Sequence, residues 1–298
     1  RLLSPWKIFF KVLKIRPDTL IITTHELLLV SVLLKLFTSC RVLYDVQENY
    51  FRNIFYTNTF PPVIRHLLAL WVRVKEIIFS PFVNHFILAE RGYTKELPFA
   101  KPFIVVQNKL KKSIADVYRK KENNGYNNLI FSGTLAETTG VYNTIELAKN
   151  LHALDHSFSL TIIGYCSKKF DHKKLSEIPE KSPFIRYLGQ TQPLPHSEIL
   201  KEIQRADFGI IYYPANPSTT ASIPTKLFEY LALGLPVLIR HTPESHQMVS
   251  ACNGGVVLHE PINFPELVTK MKDFSPGKPD EDVYLESEIA SLIQVLNK

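Results

Sequence analysis

Ten times along the chain, a short run rich in β-branched residues gives way to a turn and then to a helix-length stretch with apolar residues on one face. Period two switching to period 3.6 in this way is the mark of parallel strands joined by covering helices. The strands are predicted at 19–24, 41–45, 85–89 and 103–106, and again at 129–132, 159–163, 185–188, 208–213, 236–239 and 255–258. Between the two groups lies a polar, turn-rich stretch, 109–128, without periodicity, which reads as a connection holding a short helix. The expected fold class is therefore α/β, with two doubly wound domains over 1–108 and 109–281 and a closing helix over 282–298. Four strands against six lead to the expectation that the first domain lacks its opening strands, in keeping with a chain that starts on Arg1 rather than methionine.

With 45% hydrophobic and 21% charged positions, the chain fits none of the disordered, fibrous or disulfide-stapled classes. Cys40, Cys166 and Cys252 are odd in number and far apart, so the expected compartment is a reducing cytosol, with no zinc site. Residues 1–110 hold 15 basic and 7 acidic side chains, which places the whole +7 excess in the first third. That asymmetry suits an anionic partner, an anionic membrane surface or a lipid phosphate ahead of nucleic acid, for which no motif is present; a solvated basic surface would look the same. The apolar run 27–37 is too short to span a bilayer and is predicted to be a buried helix. The stretch 61–79 sets Arg65, His66, Arg73 and Lys75 among large apolar residues. It suits either a core-facing helix with a basic outer face or an interfacial helix, and the former is expected.

Two segments carry chemistry. In Leu129-Ile-Phe-Ser-Gly-Thr-Leu-Ala-Glu-Thr-Thr-Gly140 a strand runs through a loop between Gly133 and Gly140 into a helix, bringing backbone and helix N–H groups toward any anion there. An ordinary strand-to-helix turn has the same outline. In the second segment, strand 208–213 leads through a small polar loop into a helix that begins near Pro224, with Ser222 available as its cap. Lys226 and Glu229 share a face of that helix. From Thr225 to Glu229 is about 6 Å at ~1.5 Å per residue, matching a phosphate at the helix mouth and a ribose diol one turn deeper. An exposed Lys–Glu pair on an amphipathic helix is the alternative.

The run Ile223-Pro-Thr-Lys-Leu-Phe-Glu-Tyr-Leu-Ala-Leu-Gly-Leu-Pro-Val237 resembles the donor-site motif of the retaining GT-B glycosyltransferases, family 4 and its relatives in group 1. The 131–140 loop is similar to their diphosphate loop, and Ala206-Asp-Phe-Gly-Ile and Tyr284-Leu-Glu-Ser-Glu follow in the family's order. The resemblance implies two Rossmann-like domains, a nucleoside diphosphate sugar as donor substrate, a glycan or lipid-linked acceptor, and no metal or other cofactor. It assigns donor binding to Gly133, Thr134, Gly140, Ser222, Ile223, Pro224, Thr225, Lys226 and Glu229, with Glu229 on the ribose. It implies synthesis of cell-surface polysaccharide; the cysteine usage and the basic first third make the expected location the cytoplasm, peripheral on the inner face of the membrane. Three positions depart from the pattern: Ala221 stands where a second glutamate is usual, and Thr134 and Thr139 replace an Arg and a Lys of the phosphate loop. Lys226 is expected to supply that missing charge and to act as a catalytic residue.

In the first domain, His25 resembles the strand-end histidine that some members place beside the sugar, and is the second catalytic candidate. Glu26, Asp45, Gln47 and Glu48 lie at the same strand ends and are the acceptor-side candidates. A non-hydrolysing sugar-nucleotide epimerase and a catalytically silent nucleotide-binding domain remain the alternatives to a transferase.

Overall fold

The computed structural model describes residues 4–56, 60–120, 125–216 and 222–297. They form two compact units: Arg1–Asn108 with Asn216–Ser222 and Glu288–Lys298, and Lys109–Ala215 with Ile223–Ser287.

The first unit opens with α1 (Ser4–Ile15), β1 (Thr19–Ile22), α2 (Leu28–Phe37), β2 (Arg41–Val46), α3 (Tyr50–Tyr56) and α4 (Pro62–Phe79). It continues with β3 (His85–Leu88), α5 (Tyr93–Glu96) and β4 (Phe103–Val105). The four strands pair in parallel in the order β1-β2-β3-β4. Buried Val42, Tyr44, Phe86 and Leu88 supply the core.

The second unit runs α6 (Lys112–Tyr118), β5 (Asn128–Thr134), α7 (Val141–Leu154), β6 (Ser159–Tyr165), α8 (Lys169–Ser176), α9 (Ile178–Lys181), β7 (Ile185–Gln190) and α10 (His196–Arg205). It then runs β8 (Phe208–Ile211), α11 (Thr225–Ala232), β9 (Val237–Arg240), α12 (Pro243–Ala251), β10 (Gly255–Leu258) and α13 (Phe264–Lys272); a last helix, α14 (Glu286–Leu296), begins at its end. Its sheet is all parallel, in the order β10-β9-β8-β5-β6-β7, with one apolar cluster on each face. All ten predicted strands are present, within a few residues at their ends.

The stretch after Asn108 holds the expected short helix as α6, and Leu110 and Ala115 seat it in the same apolar cluster as α11. Two expectations are corrected. The predicted buried helix is α2, and it is only half buried: Val30 and Leu34 pack inward while Leu36 and Phe37 are exposed. Helix α4 is turned the opposite way from the one expected. Its apolar residues Val63, Leu67 and Trp71 are 73%, 64% and 62% exposed, whereas Arg73, Lys75 and Glu76 lie on its covered side.

Candidate functional site

In the second sheet the strand order reverses between β5 and β8, and a parallel sheet opens a crevice beyond its strand ends where that happens. The β5–β8 ladder stops at Ile130 opposite Gly209, so the two strands part before β5 ends. Both motif loops leave from this point. Gly133 (φ +101°) ends β5 in a left-handed conformation, and Gly140 (φ +81°) starts α7 in another. A Cβ on Gly140 would stand 2.1 Å from the carbonyl oxygen of Tyr212, so glycine there is what lets the two loops touch. Thr139 does not reach outward; its hydroxyl donates to the carbonyl of Thr134 at 2.7 Å and closes the loop on itself. Thr134 itself is exposed at the strand end.

Helix α11 faces the same crevice. Pro224 is its N-cap and Thr225 its first residue; no side chain caps it, so the expected cap from Ser222 is not made, and Ser222 belongs to the first unit. Ile223 is buried against the second core. One turn in, the Tyr230 hydroxyl accepts from the Ser132 N–H at 3.0 Å and shares a hydrogen bond of 2.9 Å with its hydroxyl. That tyrosine takes up the N–H that β5 frees where it leaves β8, and so pins the helix to the strand.

Lys226 is not the exposed partner of Glu229. It is 7% exposed, its Nζ lies 3.6 Å from the centroid of the Phe131 ring and 5.2 Å from that of Tyr213, and it has no hydrogen-bond partner among the described residues. Burial drives its pKa from 10.5 down to about 7. A cation held dry over two aromatic faces, at a helix N-terminus and beside a glycine turn, is built to meet an anion.

Glu229 has a partner that sequence reading missed. His196, the first residue of α10, lies with Nε2 2.7 Å from Oε1 of Glu229. The hydrogen bond to the carboxylate raises the His196 pKa. Nothing in the spacing links positions 33 residues apart, so only the fold could reveal it. A cavity of about 410 Å³ lies between the end of β7 and the length of α10, lined by Leu188, Gln190, Leu194, Glu198, Lys201 and Arg205. The Tyr212–Tyr213 loop is held from the other side: Tyr212 donates to Glu260 at 2.7 Å, and Arg240 donates to the Tyr213 carbonyl at 3.3 Å.

The first unit gathers the remaining candidates past its own strands. His25 begins a single 3₁₀ turn three residues beyond the end of β1, and Glu26 follows it, 3.7 Å away and exposed. The His25 ring lies edge-on to Tyr50, and its Nδ1 is 2.7 Å from Lys75 Nζ. Desolvation, then the Lys75 charge, lower the His25 pKa. Asp45 lies within β2 rather than beyond it, accepts from Gln47 at 2.6 Å, and has its pKa raised by burial. Glu48 accepts from Asn53 at 3.0 Å. Beneath them, Arg73 donates to Asn49 at 2.8 Å, and Tyr44 donates to Glu76 at 3.3 Å. Among the described residues, no three His, Cys, Asp or Glu side chains converge to hold a metal ion.

The family model of glycosyl transferases group 1 matches residues 115–283, more than half of the chain and nearly all of the second unit. This chain is a group 1 glycosyltransferase. Its fold is GT-B, shared with solved structures of low identity. Sucrose-phosphate synthase from Thermosynechococcus elongatus superposes with a TM-score of 0.68 at 12% identity, over 98% of this chain and 76% of that one. A UDP-forming trehalose-phosphate synthase from Burkholderia xenovorans, solved with glucose-6-phosphate, gives 0.67 at 8%, over 100% and 78%. HepE from Anabaena, solved with UDP and glucose, gives 0.65 at 12%, over 99% and 81%. No curated protein matches the glycosyltransferase in sequence.

Proposed function

We propose that this glycosyltransferase moves a hexose-type sugar from a nucleoside diphosphate to a glycan or lipid-linked acceptor, with retention at the anomeric carbon, in the building of cell-surface polysaccharide. The observation that carries the reading is Lys226: a buried amine with no hydrogen-bond partner among the described residues, at the mouth of α11 and beside the glycine turn at Gly133. In the reaction, the bond between the anomeric carbon and the diphosphate oxygen breaks and its electron pair stays on the diphosphate. The acceptor oxygen forms the new bond and gives its proton to the departing diphosphate oxygen. Lys226 and the N-termini of α7 and α11 stabilise the departing charge, a role that asks for no metal. Glu229 takes the ribose hydroxyls once His196 shares or yields its carboxylate, and the cavity next to α10 receives the base. UDP in the HepE structure and glucose-6-phosphate in the trehalose-phosphate synthase support a nucleotide donor and a sugar acceptor.

A thermal-shift screen of UDP, GDP, ADP and their sugars tests the donor site. A ligand at a hundredfold excess over its Kd stabilises the native state by about 2.7 kcal/mol, a shift of a few degrees. If no nucleoside diphosphate shifts the melting temperature, the donor assignment is wrong. With a binding nucleotide sugar in hand, product analysis separates transfer to an acceptor from epimerisation of the donor and from no turnover.

A further inference from the structure

We infer that the outward face of α4, continued by α2 and α1, is the surface on which this protein docks to an anionic lipid bilayer; this builds on the lipid-linked acceptor proposed above and gives its location a physical cause. A helix on a globular unit normally turns its apolar stripe inward. Helix α4 buries only the small Ala69 and Val72 in that way and turns its large apolar residues outward. Val63, Leu67, Leu70, Trp71, Val74 and Ile78 recur at three- and four-residue spacing and are all exposed. This orientation is held by the other side of the helix, where Lys75 meets His25, Arg73 meets Asn49, and Glu76 meets Tyr44. Rolling α4 to bury the apolar face would put those polar contacts into water and break them. The face is therefore a committed one.

Charge decides what covers it. Helix α2 packs against both α4 and α1. On α1 the exposed residues alternate between aromatic and cationic, Trp6 and Phe10 with Lys7, Lys11 and Lys14. Across α1, α2 and α4 the single acidic residue is Glu76, and it is buried. An apolar, tryptophan-bearing surface with lysines beside it and no exposed acid is complementary to acyl chains beneath anionic headgroups. A second copy placed face to face would bring the lysines of both α1 helices together. No helix among the described residues is long and apolar enough to cross a membrane, so the contact lies in the interface plane.

The chain has two tryptophans, Trp6 and Trp71, and both lie on this surface, so intrinsic fluorescence reports its fate directly. The whole chain is mixed with vesicles of phosphatidylcholine containing phosphatidylglycerol, and with vesicles of phosphatidylcholine alone. With the anionic vesicles the emission should shift to the blue, acrylamide quenching should fall, and the protein should sediment with the lipid, less so as salt rises. Changing Lys7, Lys11 and Lys14 together to Gln should weaken binding on the order of a hundredfold, since each surface lysine contributes about a fivefold factor. The triple variant Leu67→Glu, Leu70→Glu, Trp71→Glu should abolish sedimentation while leaving the melting temperature in place. If wild-type emission and quenching ignore anionic vesicles, the inference is overturned. The same holds if both tryptophans become protected only through concentration-dependent self-association without lipid. Nucleotide binding measured on the same samples reads the donor site separately, so loss of one does not mimic loss of the other.

Discussion

At the scale of single residues, Lys226 sets a conflict between stability and function. Its unfolded pKa of 10.5 lies above the folded value of about 7, so between those pH values the unfolded chain holds a proton that the folded one gives up. Stability is full above the unfolded value and falls as pH drops toward 7, a cost near neutrality of about 4 kcal/mol at 1.36 kcal/mol per pKa unit. Lys226→Met, similar in volume and uncharged, is therefore expected to raise the unfolding free energy at pH 7 by roughly 2–4 kcal/mol. The same change should weaken nucleoside diphosphate binding while sparing the nucleoside. A diphosphate pulls the lysine pKa up, so binding at pH 8 should take up close to one proton per site. Calorimetry in buffers of different ionisation enthalpy measures that uptake, and the wild-type and Met proteins should differ in it. Equal uptake in both would take Lys226 out of the anion site. On the first unit, Lys75→Met removes the second-largest cause depressing the His25 pKa, so the His25 titration followed by NMR should move up toward 6.5.

Helix α11 shows how an element is placed by what a strand leaves unpaired. Beyond Ile130 the edge of β5 that faced β8 has no ladder partner, and the Tyr230 hydroxyl satisfies Ser132 there. Tyr230→Phe keeps the ring against Gly209 and strands a buried N–H, which should cost about 1–3 kcal/mol. Chemical denaturation measures that loss, and nucleotide affinity should fall with it because Lys226 and Glu229 ride on the same helix. Gly140→Ala tests the opposing loop. The left-handed backbone alone should cost about 1–3 kcal/mol, and the clash with the Tyr212 carbonyl adds to it. An alanine variant as stable as wild type would mean that the two loops are free to separate.

For the whole molecule, two histidines act in opposite senses on the pH profile of stability. The His25 pKa is lowered in the folded state, so its contribution is full above 6.5 and is lost as pH falls below it. The His196 pKa is raised, so its contribution is full below 6.5 and is lost as pH rises through the folded value. In the Lys226→Met protein, freed of the lysine's own rise in stability between pH 7 and 10.5, they favour a stability maximum close to 6.5. His196→Gln should move that maximum to higher pH and His25→Asn should move it to lower pH, as melting temperatures across the range will show. Movement in the same direction for both variants would contradict the two environments.

Much of this could be read along the chain. The ten strands, the two units and the loops at Gly133–Gly140 and 223–229 follow from local periodicity and punctuation, which parallel sheets preserve because every strand needs its covering helix. Membership of the glycosyltransferase group was legible in the same run, since its residues are contiguous. Three things were not legible, for one shared reason. The pairing of His196 with Glu229, the hold of Lys75 on His25 and the grip of Tyr230 on Ser132 each join elements far apart in sequence, and no spacing rule reaches across them. The burial of Lys226 was missed because an i, i+3 pattern names neighbours on a helix without saying whether that face is wet. The same blindness turned α4 around. Periodicity fixes which residues share a stripe, but the sign of the stripe, inward or outward, is set by the polar groups that other elements bring to meet it, and only the tertiary structure decides that.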